Sequence, residues 1–178
     1  DTHIFVLMSD GEQTKGQVAE ARRFAIKYGL KNITVIIDNN NIQISGRTDD
    51  VMPCRICANY RADGWETMEV DGHNFSALYD AIKKSFDIPA PTCIIANTII
   101  GKGVSFMEND YRYHGKTLDE KAYVKAMKEL GLPPSLEKYK DLRKKEWNYP
   151  ERKFFFTPAI ENGIPVVYQK DEKTDNRS

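Results

Sequence analysis

Two short polar segments, each placed directly after an apolar run, carry the residues of this sequence best suited to hold a metal ion. The run over residues 4–8 ends in Ser9-Asp10-Gly11, and the run over residues 33–37 ends in Asp38-Asn39-Asn40-Asn41. Mg²⁺ prefers oxygen ligands and takes only a few of them from the protein, so one carboxylate, one amide oxygen and one backbone carbonyl would suit it. Asp10 and Asn40, thirty positions apart, offer the first two.

The elements around these segments predict that their polar ends meet. Residues 4–8 and 33–37 have the length and apolar character of buried strands, and the second run is rich in β-branched side chains. Between them, apolar residues recur at helical spacing up to Gly29, a residue suited to end a helix. A strand, a helix and a strand in this order make the two strands parallel neighbours or near neighbours, and ligands bind at the carboxyl ends of such strands.

An anion could bind beside this metal site. Gly11 has no side chain and would let a diphosphate approach the backbone. We also expect the crossover helix to begin near Thr14 and to direct free backbone N–H groups at that anion.

The alternation of strands and helices continues downstream. The sequence pattern predicts, in order, a helix over residues 51–60, a strand over 65–70, a helix over 75–86 and a strand over 92–96. A polar loop over residues 98–116 is long enough to be functional, and Thr117 with Glu120 forms a capping box for the helix that follows. The predicted fold class is α/β, with an open, mostly parallel sheet and helices on both faces.

With these segments in place, the sequence resembles the transketolase family. Ser9-Asp10-Gly11-Glu12 followed by Asp38-Asn39-Asn40 is similar to the thiamine diphosphate motif, which usually begins Gly-Asp-Gly and closes with Asn. The stretches that narrow the resemblance to transketolase are Ala19-Glu20-Ala21, Asn32-Ile33, Asn41-Ile42-Gln43-Ile44-Ser45-Gly46, Thr98-Ile99-Ile100-Gly101-Lys102-Gly103 and Tyr113-His114-Gly115-Lys116. The resemblance runs from about His3 to Leu132 and implies the family's N-terminal, thiamine diphosphate-binding section.

The resemblance implies roles for five residues, with thiamine diphosphate and Mg²⁺ as cofactors. Asp10 and Asn40 would ligate Mg²⁺ through their side chains, and Ile42 would ligate it through its backbone carbonyl. Gly11 would contact the diphosphate. His114 would be both a cofactor contact and the catalytic residue, lying over the diphosphate and the hydroxyl end of the substrate, where it donates hydrogen bonds or relays a proton.

Three positions depart from the family pattern. Ile100 belongs to the cofactor-binding set, but relatives often carry Lys there, so one contact is weakened. Ser9 replaces the first glycine of the motif, which ordinary backbone angles would tolerate. Lys15 replaces a Glu associated with a carboxylate network between paired active sites, which puts proton sharing between those sites in doubt.

The resemblance also implies parts that this sequence does not contain. Family members have a segment before the first strand and a separate pyrimidine-binding domain, whose glutamate activates the aminopyrimidine. We therefore expect a thiamine diphosphate-binding fold that is incomplete at its N-terminus, in a trimmed or split product. We expect a transketolase-type transferase of the pentose phosphate pathway that is inactive alone. It would act on sugar phosphates with a pyrimidine-binding C-terminal section, in a dimer or heterotetramer.

Other interpretations stay open. A non-catalytic transketolase-like subunit would keep the fold, and a deoxyxylulose-phosphate synthase or a 2-oxoacid dehydrogenase E1 component would share the metal motif. A nicotinamide-binding domain is disfavoured because no G-x-G-x-x-G follows the first strand. Lys102, between two glycines, would either hold phosphate or form a solvated turn.

Two further clusters have simpler structural interpretations. Asp71-Gly72-His73-Asn74 has the composition of a turn followed by a helix N-cap. Cys54 and Cys57 form a C-x-x-C without the second pair that a zinc site needs, and we expect two small residues on one helical face.

Length, composition and charge set the remaining limits. The 178 residues suit one main domain, so we expect a thiamine diphosphate- and Mg²⁺-binding domain over residues 1–132. A C-terminal helix over residues 135–147 and a polar tail would fill residues 133–178. Lys plus Arg and Asp plus Glu are balanced at 26 each, so no net field attracts nucleic acid or a membrane. Three cysteines fit a reducing compartment, and we expect a cytoplasmic protein.

Overall fold

The computed structural model describes residues 2–144 of the chain. Within them lie six strands and six α-helices, with short 3₁₀ turns at Gly11–Thr14 and Tyr111–Tyr113. The strands are β1 (Ile4–Ser9), β2 (Ile33–Asn39), β3 (Ile42–Gln43), β4 (Gly46–Arg47), β5 (Glu66–Asp71) and β6 (Thr92–Asn97). The helices are α1 (Gly16–Lys27), α2 (Thr48–Val51), α3 (Ile56–Ala62), α4 (Phe75–Ser85), α5 (Glu120–Glu129) and α6 (Leu136–Arg143).

Four of these strands form one parallel sheet in the order β1-β2-β6-β5. Ser9 of β1 lies opposite Asp38 of β2, and Asn39 of β2 lies opposite Asn97 of β6. The predicted crossover and α/β fold class are confirmed, and the four predicted strands differ from the observed ones by one or two residues at their ends. All four carboxyl ends therefore lie along one edge of the sheet, where ligands bind in folds of this kind.

Helices cover both faces of this sheet. Val35 of β2 packs with Ala25 of α1 and Tyr60 of α3 in one buried cluster. Successive strand residues point to opposite faces, and the hydroxyl of the neighbouring Thr34 donates to Ser85 Oγ of α4 at 3.0 Å. The inner strands β2 and β6 are therefore largely buried, while most of the edge strand β1 is exposed.

The predicted continuous helix over residues 51–60 is wrong. The chain instead forms α2, an extended segment and α3. Pro53 explains the break, because the residue before a proline avoids helical backbone angles. Met52 is accordingly extended, with φ −157° and ψ 97°.

The predicted capping box before α5 is also wrong. The N-cap is Asp119, whose carboxylate accepts the N–H of Ala122 at 2.8 Å, and the helix begins at Glu120. A carboxylate at this position also interacts favourably with the positive end of the helix dipole, which the hydroxyl of Thr117 would not do.

The chain divides into two compact units, residues 1–134 and residues 135–178. In the second unit the helix α6 runs over Leu136–Arg143. The predicted end of this helix at residue 147 and the predicted polar tail lie outside the described residues. Among residues 2–144, none of the helices is long and apolar enough to cross a membrane.

Candidate metal and diphosphate site

Asp10 lies directly after β1 and is buried, with an exposed fraction of 1%. Its Oδ1 accepts the N–H of Gly11 at 2.7 Å. Its Oδ2 accepts the N–H of Asn41 at 2.7 Å and the hydroxyl of Thr48 at 3.2 Å. This one side chain therefore joins the end of β1 to the segment after β2 and to the first residue of α2.

Two opposing influences act on the charge of Asp10. Burial raises the pKa of Asp10 above its ordinary value, because a carboxylate removed from water is disfavoured in its charged form. The three hydrogen bonds lower this pKa, whereas the negative charge of Asp38 raises it further. Because burial has the largest influence, a cation bound beside Asp10 would stabilise a charge that burial disfavours.

The three asparagines after β2 play three different parts. Asn39 Nδ2 donates to Asn97 Oδ1 at 2.8 Å and ties the ends of β2 and β6 together. Asn40 Oδ1 accepts the N–H of Ile42 at 2.9 Å. Asn41 has a φ of +59°, in the left-handed region that Asn adopts more readily than most residues, and it lies between β2 and β3.

The segment between β1 and α1 is fixed by its own side chains. The N–H of Ser9 donates to Glu12 Oε2 at 3.0 Å, and the N–H of Glu12 donates to Ser9 Oγ at 3.2 Å. Buried Gln13 donates through Nε2 to the carbonyl of Ser9 at 3.1 Å and accepts the hydroxyl of Tyr60 at 3.1 Å. Neither set of contacts was predicted, although Ser-x-x-Glu is a capping-box signature that could have revealed the first.

Backbone N–H groups of this segment are already engaged within it. The helix α1 begins at Gly16, two residues after the predicted start near Thr14. The N–H groups of Gly11 and Gln13 donate to Asp10, that of Glu12 donates to Ser9, and that of Lys15 donates to Glu12. For these four amides, the predicted supply of free N–H groups to an anion is wrong, because turn formation uses the donors locally.

A cavity of about 210 Å³ opens beside these segments. Its lining residues are Ser9, Asp10, Gly11, Ile42, Gln43, Ile44, Ser45 and His114. Four of the six predicted site residues therefore share one space, and these are Asp10, Gly11, Ile42 and His114. Asn40 is absent from the lining but holds the N–H of Ile42. Ile100 is also absent from this lining, and its carbonyl accepts the N–H of Asn109 at 3.1 Å.

The charge of the cavity fits a divalent cation better than a bare anion. Among its described lining residues there is no Lys or Arg, and the buried acid is Asp10. A diphosphate entering alone would meet a carboxylate, whereas Mg²⁺ could bind both the carboxylate and phosphate oxygens. Among residues 2–144, no group of three or more His, Cys, Asp or Glu residues could hold a metal. Neutral oxygens, such as the amide of Asn40 or the carbonyl of Ile42, would complete the ligand set.

Two other predicted clusters have structural roles. The N–H of Ile99 donates to His73 Nε2 at 2.8 Å, and Asn74 caps α4, which confirms the predicted turn and N-cap. Cys57 lies in α3 but Cys54 precedes that helix, so the prediction that the two share a helical face is wrong. Both thiols are free.

Lys15 and Lys102, the two basic residues discussed from the sequence, are not part of the cavity lining. Lys15 is exposed, and its Nζ lies 3.4 Å from Glu12 Oε1. Lys102 is exposed in a turn between Gly101 and Gly103, both of which have positive φ angles.

Comparison with known proteins identifies what the chain is similar to. Residues 1–148 match the family model described as "Transketolase, thiamine diphosphate binding domain". Over 132 residues the chain is 33% identical to an apulose-4-phosphate transketolase subunit of Phocaeicola vulgatus, with 73% of this chain and 47% of that relative covered. Over 129 residues it is 34% identical to 6-deoxy-6-sulfo-D-fructose transketolase subunit SqwG of Clostridium sp., with 71% and 47% covered. The chain spans about half the length of these two relatives.

Solved structures give the same result. The transketolase from Campylobacter jejuni aligns with a TM-score of 0.71 at 30% identity, covering 76% of this chain and 21% of that chain. The transketolase from Leishmania mexicana aligns with a TM-score of 0.70 at 25% identity, covering 85% of this chain and 22% of that chain.

Proposed function

Because this chain belongs to the transketolase family through its thiamine diphosphate-binding domain, we propose that it binds Mg²⁺ and the diphosphate of thiamine diphosphate. The binding domain would be residues 1–132. The reaction would be the transfer of a two-carbon ketol unit between sugar phosphates. A partner chain would supply the pyrimidine-binding domain.

The observation that supports this proposal most strongly is a cavity at the carboxyl edge of the sheet. It contains the buried carboxylate of Asp10, the bare backbone of Gly11 and the imidazole of His114. A carboxylate has about four lone-pair sites that can accept a hydrogen bond or bind a metal ion. Hydrogen bonds from three donors occupy three of these sites on Asp10. One site is left for a metal ion, which matches a single Mg²⁺ bond from this residue.

Each residue would have a limited task, since the cofactor carries the difficult chemistry. When bound, thiamine diphosphate supplies the carbon nucleophile for ketol transfer. Asp10 and Asn40 would bind Mg²⁺ through side chains, and Ile42 would do so through its carbonyl. His114 is exposed where it lines the cavity, so it could exchange a proton with solvent and pass it to a substrate hydroxyl.

The proposed partner rests on the relatives rather than on the geometry. Two of them are named as subunits of transketolases, and each is about twice as long as the matched part of this chain. We propose a complementary pyrimidine-binding chain and a dimeric or heterotetrameric assembly, because the cavity beside Asp10 would hold only the diphosphate end of the cofactor.

Calorimetry and an activity assay test the proposal together. Thiamine diphosphate is titrated into the chain with Mg²⁺ and then with a chelator, and ketol transfer is measured for the chain alone and mixed with candidate partner chains. We expect binding that depends on Mg²⁺, no transfer by the chain alone, and transfer on mixing. Failure to bind the cofactor in the presence of Mg²⁺ would contradict the proposal.

A non-catalytic role is the second candidate, and two observations favour it. Lys15 stands in place of the family's Glu and pairs with Glu12, and Ile100 offers an apolar side chain away from the cavity lining. This candidate predicts Mg²⁺-dependent cofactor binding without transfer in any mixture of chains. The same assay therefore separates the two functions.

A further inference from the structure

Gln43 has the one buried side-chain nitrogen or oxygen atom in residues 2–144 that lacks a hydrogen-bond partner. That atom is its Nε2, and the residue lines the cavity that also contains Asp10 and Gly11. A buried donor without an acceptor is unfavourable, because the donor loses its bond to water and gains none in return. Contacts among residues 2–144 give this donor no acceptor, so its position needs another explanation.

The amide of Gln43 lies directly against Gly11. A Cβ atom built on Gly11 would lie 3.5 Å from Gln43 Cδ and 3.7 Å from Gln43 Nε2, which is ordinary van der Waals contact. Gln43 Nε2 therefore lies beside the backbone of Gly11, where a diphosphate would approach.

Asp10 lines the same cavity, but its oxygens already accept hydrogen bonds from other donors. Its two oxygens accept from Gly11, Asn41 and Thr48. The neighbouring backbone N–H groups are also engaged, since that of Gly11 donates to Asp10 and that of Ile42 donates to Asn40. An acceptor entering this cavity would therefore find Gln43 Nε2 available when these backbone donors are not.

We propose that Gln43 is a cofactor-binding residue whose Nε2 donates a hydrogen bond to a diphosphate oxygen of thiamine diphosphate. This inference rests on the proposed function, because it takes the diphosphate to occupy this cavity. The bond adds a neutral donor at a site where the described lining has no Lys or Arg. It complements Mg²⁺, which neutralises charge, by fixing the orientation of one phosphate group.

Three variants test the proposal in the full chain. Gln43→Leu keeps the size of the side chain but removes the donor, and Gln43→Glu replaces the donor with an anion. Gln13→Leu is the matched control, because Gln13 is a buried glutamine beside the same loop whose amide is fully used by Ser9 and Tyr60. Calorimetry with Mg²⁺-pyrophosphate and with Mg²⁺-thiamine diphosphate measures binding, and thermal unfolding without ligand measures stability.

The two leucine variants should behave in opposite ways. Gln43→Leu should weaken binding of both ligands by between about 10-fold and 100-fold, the range for a lost hydrogen bond to a charged group. Its ligand-free midpoint of unfolding should equal or exceed that of the parent chain, because no internal bond is lost. Gln13→Leu should lower the midpoint, because it breaks the bonds to Ser9 and Tyr60, and should weaken binding less than Gln43→Leu does, because Gln13 is not part of the cavity lining. Gln43→Glu should bind more weakly than Gln43→Leu, because it adds repulsion.

The possible failures can be told apart. If the parent chain binds neither ligand with Mg²⁺, the proposed function and this inference both fail. If the parent chain binds but Gln43→Leu binds as tightly or more tightly, the role of Gln43 is refuted and the proposed function stands. If Gln43→Leu lowers the ligand-free midpoint as much as Gln13→Leu does, Gln43 has a structural role and the inference is refuted.

Discussion

Replacing Asp10 with Asn separates what this residue does for the fold from what it does for ligand binding. Asp10→Asn keeps the shape of the side chain and removes one negative charge. In the parent chain, N–H and O–H donors face both carboxylate oxygens. An asparagine has only one side-chain oxygen, so it can accept hydrogen bonds on only one side of the residue. Fewer hydrogen bonds are lost if that oxygen faces Asn41 and Thr48. The N–H of Gly11 then faces the amide nitrogen.

The effect on stability should be small, because two contributions oppose each other. Leaving the N–H of Gly11 without an acceptor costs about 1–3 kcal/mol. Removing a charge that burial disfavours offsets part of this loss, since burial is the largest influence on the pKa of Asp10. We expect the free energy of unfolding to change by less than about 2 kcal/mol in either direction.

The difference in stability should depend on pH in a defined direction. Because the pKa of Asp10 is raised in the folded chain, the folded state holds this proton more tightly than the unfolded state does. The parent chain therefore loses stability as the pH rises from the ordinary Asp range through the raised pKa, and the variant, whose amide does not titrate, loses none from this position. The stability of the variant relative to that of the parent chain should therefore increase as the pH rises from the ordinary Asp range through the raised pKa of Asp10.

Ligand binding should respond far more strongly than stability. Outer partners of metal ligands change metal affinity by about 10- to 100-fold, so loss of a direct ligand should weaken Mg²⁺-dependent binding of thiamine diphosphate by about 100-fold or more. Denaturant unfolding with a chelator, repeated at a series of pH values from the ordinary Asp range upward, measures the effect on stability, and calorimetry with Mg²⁺ measures the effect on binding. Asp50→Asn is the control, since it removes an exposed charge from α2. The reasoning would be refuted if Asp10→Asn bound the cofactor as tightly as the parent chain does. It would also be refuted if the stability of the variant fell relative to that of the parent chain as the pH rises.

Three further predictions concern the support of the site. Asp63→Ala should lower the free energy of unfolding by about 3 kcal/mol in denaturant titration. The reason is that the buried guanidinium of Arg22 loses the carboxylate that lies 2.7 Å from it. An equal loss in Asp63→Asn would show that the negative charge of Asp63 is required. Gly101→Ala should cost at least about 2 kcal/mol by the same measurement, since φ is +69° and the new Cβ would lie 2.6 Å from Met107 Cβ; an unchanged midpoint would contradict this. Burial raises the pKa of Cys93 far above its ordinary value, so a thiol reagent should label at most two of the three cysteines in the folded chain and all three in denaturant; native labelling of Cys93 itself would show that the core opens.

The sheet could be predicted from the sequence because its strands carry a local and redundant signal. Residues 33–37 are continuously apolar and β-branched, and a polar turn follows them, so composition, length and boundary agree. The crossover rule then gives the parallel pairing without any knowledge of distant contacts. The break at Pro53 was available from the same rules, since a proline inside a helical pattern ends it at the preceding residue.

Four of the residues that line the cavity were predicted from the sequence, but the hydrogen bonds inside the candidate site were not. Asp10 and Gly11 stand out by their place after a strand, whereas the use of the loop's N–H groups depends on how Ser9, Glu12 and Asp10 turn toward one another. The free donor on Gln43 gives no signal in the sequence at all. A glutamine in a short strand looks like any other polar residue until the neighbours that fail to pair with it are known.

The internal bonding of the loop around Asp10 also affects the thermodynamics of any ligand that binds there. Because Gln13 anchors this loop to the hydroxyl of Tyr60 and the loop's amides are satisfied internally, its conformational entropy is lost when the chain folds and not when a ligand arrives. Binding then requires little free energy for ordering the receptor, which is the advantage of a preorganised site. In amide hydrogen exchange, the protons of Glu12 and Gln13 should accordingly exchange slowly even before any ligand is added.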